Sequence, residues 1–271
     1  MLTKERVVFR NNVKILGSGD TTLILAHGFG CDQNMWQYLV PRLKDTYTLV
    51  LFDYVGSGDS LKSDFNEVRY STLDGYARDV IEVCEALELT NTVFIGHSVS
   101  SNIGLLAAAQ APERITRQVM VCPSPCFLNM PPDYFGGFEK ADLDALIDLM
   151  ESSHTGWAEY LAPIVVGEEG TEDLVGELSE SFCSTDPTVA KTFAVATFFS
   201  DYRYLLPISE HPTLILQSED DKLASVAVGE FVHQLMPNSQ LCVMPTKGHC
   251  IHMTHPDAVA EQVIRWLNQA A

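Results

Sequence analysis

The sequence predicts an α/β protein: a mostly parallel sheet with helices on both faces, interrupted by a helical insertion. Three observations carry that reading. Short, continuously apolar runs alternate with helix-periodic segments through the first 125 residues, as strands buried on both faces require. After a stretch rich in proline, glycine and aromatics, no strand-like run recurs before Pro212. Two more apolar runs then appear near the C-terminus. Two strands and their helices cannot close a domain alone, so they are expected to extend the first sheet. Residues 1–125 and 205–271 would form one discontinuous core, with residues 126–204 as a four-helix lid above it.

In chain order, "TTLILAHGFG", "TLVLFDYVGSG", "NTVFIGHS" and "ITRQVMVCPSP" each read as a buried strand running into a loop of small or polar residues. Between the second and third, Ser71-Thr72-Leu73-Asp74 has the form of a capping start. Leu73, Tyr76, Val80, Val83, Cys84 and Leu87 then recur at helical spacing. "PSPCFLNMPPDYFGGF" reads as a connecting loop. Leu143, Leu146, Ile147 and Met150 mark the first helix of the insertion, and "TGWAEYLAPIVV" and "TEDLVGELSESF" mark the second and third. A fourth opens at Asp186-Pro187, a good N-cap and first-turn pair. "PTLILQSEDD" and "SQLCVMPTKGH" are the resumed strands. A last helix begins near Pro256, with Val259, Val263, Trp266 and Leu267 on one face.

Composition excludes some partners. Acidic residues outnumber basic ones 36 to 17, a formal charge of −19, and no basic run occurs. That argues against nucleic acid and anionic membrane surfaces, which are bound through clustered Lys and Arg. No apolar run is long enough to span a bilayer, and "MLTKERVVFR" lacks a signal-peptide core. Seven cysteines without C-x-x-C spacing read as reduced thiols in a cytoplasmic protein. Cys122 and Cys126, the close pair, read as core or loop residues.

In a parallel sheet the loops at the carboxyl ends of the strands form the site, and four of them carry informative residues. "GHSVS" places Ser98 at a strand-to-helix turn that exposes a nucleophile, and the Val99 amide faces a developing oxyanion. Ser100 stands where the G-x-S-x-G elbow has its last glycine; its hydroxyl could bond back to the turn. "HGFG" lets backbone approach a substrate, with the Phe29 amide as second oxyanion donor. "QSEDDKLAS" offers Asp220 and Asp221 as rival acids to orient a histidine. "KGHCIHMTHP" offers His249 as base. His249, His252 and His255 are also spaced like metal ligands, but no cysteine or carboxylate cluster completes a tetrahedral set, so no metal and no other cofactor is expected.

These residues resemble the α/β-hydrolase superfamily. More narrowly, "GFGCDQNMW", "LFDYVGSGDS", "LDGYARDVIEVCEAL", "FIGHSVS", "PSPCFLN", "YFGGFE", "FCSTDP", "FFSDYR" and "KGHCIHMTHP" resemble the bacterial RsbQ stress-response regulators and their plant relatives, the karrikin and strigolactone receptors. The resemblance implies four lid helices in a V over a narrow hydrophobic pocket. It implies Ser98 as nucleophile, His249 as base and Asp221 as acid, with Phe29 and Val99 amides as oxyanion hole. Ser225 departs from the proline expected after that acid. The implied pocket lining is Phe29, His97, Phe127, Trp157, Leu161 and Phe198.

Two functions are then expected to compete. One is a serine hydrolase of a small hydrophobic ester or lactone, of low turnover. The other is a small-molecule sensor that signals stress through a phosphatase-type regulatory protein partner, using the same pocket.

Overall fold

The computed structural model describes residues 3–269. The chain opens with α1 (Lys4–Arg10), β1 (Lys14–Leu16) and β2 (Thr22–Ala26), followed by α2 (Val40–Leu43) and β3 (Thr48–Leu51). Then come α3 (Leu73–Ala86), β4 (Thr92–His97), α4 (Val99–Gln110) and β5 (Ile115–Val121). A two-residue hairpin, β6 (Asn129–Met130) and β7 (Tyr134–Phe135), leads into four helices: α5 (Lys140–Ser152), α6 (His154–Val166), α7 (Glu172–Ser184) and α8 (Pro187–Phe198). The chain finishes with β8 (Thr213–Asp220), α9 (Val226–Leu235), β9 (Ser239–Lys247), α10 (Ile251–Thr254) and α11 (Pro256–Gln269).

Seven strands form one sheet in the order β1-β3-β2-β4-β5-β8-β9. All neighbours are parallel except β1, which pairs antiparallel with β3 at the edge. The two C-terminal strands therefore do extend the first sheet, as expected from the strand count. The edge strand β1 is exposed along its length and has no apolar run, which is why its sequence is silent. The hairpin inside the expected connecting loop is equally short for a pattern of period two to be visible.

Local chemistry explains the helices that matter for the site. α4 is buried on nearly every side, so its sequence is small and apolar rather than amphipathic. It lies tight on the sheet because Gly96 and Gly104 lack side chains. A Cβ on Gly96 would come within 2.6 Å of the Ser100 backbone, and one on Gly104 within 2.5 Å of the Phe94 ring. α8 starts at Pro187, with Asp186 accepting from the Thr188 and Val189 amides. α3 starts at Leu73 with Thr72 as N-cap. The expected capping start is thus where the helix begins, but the Thr72 hydroxyl bonds to the Asp74 carboxylate rather than to a helix amide. α11 buries Val259, Val263, Trp266 and Leu267, the face read from its periodicity. No helix among the described residues is long and apolar enough to cross a membrane.

The order of strands reverses direction beside β2: β3 lies on one side and β4 on the other. Loops leaving adjacent strands at such a point diverge and open a crevice at their carboxyl ends. β2 runs into His27–Gly30 and β4 into Ser98, with Ala26 level with Gly96 across the pair. The same sheet edge receives Asp221 after β8 and His249 after β9.

Candidate active site

Ser98 sits between β4 and α4 with φ 54° and ψ −120°, a left-handed conformation that costs a residue with a Cβ about 1–3 kcal/mol. Two backbone bonds hold it there: Ser98 N–H donates to Val121 O at 2.8 Å, and Ser98 O accepts from Ser101 N–H at 2.9 Å. The turn leaves Ser98 6% exposed at the head of α4. The next amide, Val99 N–H, is among the first four of the helix and so has no acceptor within it.

Asp221 and His249 meet on the same edge. His249 Nδ1 lies 2.7 Å from Asp221 Oδ2, with both side chains buried. The other carboxylate oxygen of Asp221 accepts from the Leu223 and Ala224 amides at 2.8 and 3.1 Å. Asp220 turns outward instead, paired with Lys222 Nζ at 2.6 Å on a half-exposed surface. The rivalry between the two acids is thus a matter of which way each side chain leaves the end of β8. His249 Nε2 is buried with no hydrogen-bond partner among the described residues. The His249 carbonyl oxygen lies 3.0 Å from His97 Nε2, which ties His249 to the residue preceding Ser98.

The loop after β2 is set by His27. Tyr54 N–H donates to His27 Nε2 at 3.2 Å, so the ring proton resides on Nδ1 and donates to Gly28 O at 2.9 Å. Cys31 N–H donates to the same carbonyl at 3.3 Å. Gly28 C=O and Phe29 N–H belong to one trans peptide, so holding the carbonyl one way aims the Phe29 amide the other. Burial pushes His27 below the ordinary imidazole range despite Asp53, which keeps the ring neutral.

The three histidines spaced like metal ligands do not converge. His249 faces Asp221, His252 packs between Trp36 and His97 with centroids 4.5 Å from each, and His255 Nε2 lies 3.4 Å from Glu169. Cys122 joins Asp221 and His249 in the one group of three ligand-type atoms found among the described residues, all within 4.8 Å. Asp221 and His249 there are engaged with each other and with two amides. Burial pushes the Cys122 thiol well up, with Asp221 adding to the effect.

Of the expected lining residues, Phe29, Phe127, Trp157 and Phe198 join one aromatic cluster. Phe29 lies 5.7 Å from Trp157 and 5.3 Å from Phe198, and Phe198 lies 5.1 Å from Phe127. Leu161 is buried on α6. His97 packs against His249 and His252, with its Nδ1 where a Cβ on Gly28 would come within 2.5 Å. Sequence reasoning missed Phe182 and Phe193, which complete the cluster at 6.5 and 5.7 Å from Phe29. Both sit on the inward stripes of α7 and α8, and that periodicity was the available signal.

A family profile described as "alpha/beta hydrolase fold" matches residues 21–256. The karrikin insensitive 2 receptor CA of Petunia hybrida is 40% identical over 95% of this chain and 96% of its own length. A strigolactone esterase of Pisum sativum is 32% identical over 95% and 97%. Among solved structures, a hydrolase from Oleispira antarctica superposes with a TM-score of 0.97 at 53% identity, covering 98% of both chains.

Proposed function

The chain belongs to the alpha/beta hydrolase family, and we propose that it is a serine hydrolase of small hydrophobic esters or lactones. The observation that carries this reading is the buried 2.7 Å Asp221–His249 pair, tied through His97 to a strained serine turn. Ser98 Oγ attacks the carbonyl carbon while His249 Nε2 takes its proton. Asp221 holds His249 with its proton on Nδ1 and stabilises the imidazolium that forms. The carbonyl oxygen becomes an oxyanion between the Phe29 and Val99 amides. Collapse breaks the bond to the leaving oxygen, which receives the proton from His249, and water then releases the acyl group by the same steps in reverse. The lining is aromatic, which favours an apolar acyl or lactone ring. Residues 126–204 act as the lid over it.

A sensor reading is favoured by one further observation. Ser98 and His249 are only 6% and 2% exposed, and the His249 amide donates to Val165 O of α6, which suits a lid that gates ligand exchange. Slow exchange suits a receptor that signals by lid state to a protein partner, and relatives carry receptor names. The test compares the parent with Ser98→Ala on 4-nitrophenyl acetate and a panel of butenolide lactones, with a fluorophosphonate label as a second readout. Hydrolysis and labelling should both vanish in the variant. Equal rates in the two proteins would sink the hydrolase reading; fast turnover of simple esters would sink the sensor reading.

A further inference from the structure

Ser100 is buried at zero exposure, and its hydroxyl does not bond back to its own turn. It reaches across to the loop after β2, donating to His27 O at 2.5 Å. A carbonyl can only accept, so the Ser100 proton is committed there. Tyr54 OH, 2.9 Å from Ser100 Oγ, must therefore be the donor in that second contact. Tyr54 also supplies the amide that fixes the His27 tautomer. One residue thus grips the loop at both ends of His27: ring through its amide, carbonyl through Ser100.

Tyr54 is itself anchored on either side. The carboxylate of Asp53 accepts from the Gln33 and Asp59 amides at 2.9 and 3.1 Å and from Asn12 Nδ2 at 2.8 Å. The Val55 amide donates to Asp79 Oδ2 at 3.1 Å, and Asp79 is paired in turn with Arg69 at 2.7 Å. The Tyr54 ring packs edge-on against His27 and Phe52, at 4.8 and 5.0 Å. A residue so fixed can hold another in place; a solvated one could not.

We propose that Ser100 and Tyr54 are positioning residues that lock the Gly28–Phe29 peptide against the serine turn, presetting the oxyanion hole before substrate arrives. The serine that stands in place of the elbow glycine is then a brace between the two halves of the hole. The inference rests on the reading of Ser98 as nucleophile and of Phe29 N–H as an oxyanion donor.

The experiment uses Tyr54→Phe, Ser100→Ala, Ser100→Gly and the Tyr54→Phe/Ser100→Ala double variant. Initial rates on 4-nitrophenyl acetate give kcat and KM, and an aryl trifluoromethyl ketone, which forms a tetrahedral adduct, reports on the hole itself. Losing one oxyanion donor outright costs about 100- to 1,000-fold in kcat, so loosening it is expected to cost about tenfold. KM should hold within about twofold, and ketone affinity should fall by the same factor as kcat. The double variant should be no worse than the weaker single, because the two act as one unit. Ser100→Gly should match Ser100→Ala, since the missing group is the hydroxyl. Tyr54→Phe removes a single oxygen and carries the test independently of any folding effect at position 100. Unchanged kcat and unchanged ketone affinity in all four, with the fluorophosphonate still labelling Ser98, would overturn the brace alone. A parent in which Ser98 is neither labelled nor needed would overturn the underlying reading instead.

Discussion

Replacing Asp221 by asparagine tests the site with one atom. Oδ1 of Asp221 accepts from two backbone amides, Leu223 and Ala224, while Oδ2 faces His249 Nδ1 at 2.7 Å. Asparagine keeps one acceptor and gains a donor. Two fixed N–H groups demand that its oxygen stay with them, which leaves the NH2 aimed at His249 Nδ1. Two donors cannot share that line, so the imidazole must carry its proton on Nε2 instead. That nitrogen can no longer take the Ser98 proton. The wrong tautomer in a serine protease costs about four powers of ten in kcat, and a loss of at least about a thousandfold is expected here. Asp220→Asn removes only the contact to Lys222 on the outer surface, and its kcat should stay within about twofold. Initial rates on 4-nitrophenyl acetate at pH 8, with urea unfolding to confirm that both variants are folded, decide it. An Asp221→Asn variant keeping a tenth of parental kcat, or an Asp220→Asn variant losing as much, would refute the assignment.

Two other perturbations reach the site from beneath. A Cβ on Gly28 would lie 2.5 Å from His97 Nδ1, and His97 is held by its neighbours His249 and His252. Gly28→Ala should therefore lower kcat about 10- to 100-fold and cost about 1–3 kcal/mol in urea unfolding, and a second change, His97→Ala, should recover part of that stability. Full activity in Gly28→Ala alone would show that the loop has room to move. Acid should weaken the fold through the buried imidazoles. Burial pushes His252 down to about 3, from 6.5 in an unperturbed ring, so between those values the unfolded chain binds a proton that the folded one refuses. Stability then falls as pH falls, by about 2 kcal/mol for this one group between pH 8 and pH 5. His252→Phe should flatten that dependence; identical pH profiles of urea midpoint in the two proteins would refute it.

The buried strands announce themselves because their surroundings repeat: each is covered on both faces, so each must be apolar throughout. Ser98 and His249 could be proposed from the sequence for a related reason. The proposed chemistry needs them just past the ends of strands, where β4 and β9 do leave them, and strand ends can be read from one stretch of chain. The same local logic stopped at Asp220 and Asp221, where two identical residues stand side by side. Only the direction in which the chain leaves β8 separates them, and that depends on where β9 lies. β1 was invisible because an exposed three-residue edge strand needs no apolar pattern; its neighbour β3 supplies the hydrogen bonds. Ser100 shows the limit most clearly. Within "GHSVS" it can be judged only against a glycine, as an intrusion into a tight turn. Its actual partners, His27 and Tyr54, come from 73 and 46 residues away. A hydrogen bond is worth something only where two groups meet at the right distance and angle. Composition and spacing determine which residues could meet; the crossover that brings β2, β3 and β4 side by side decides which ones do.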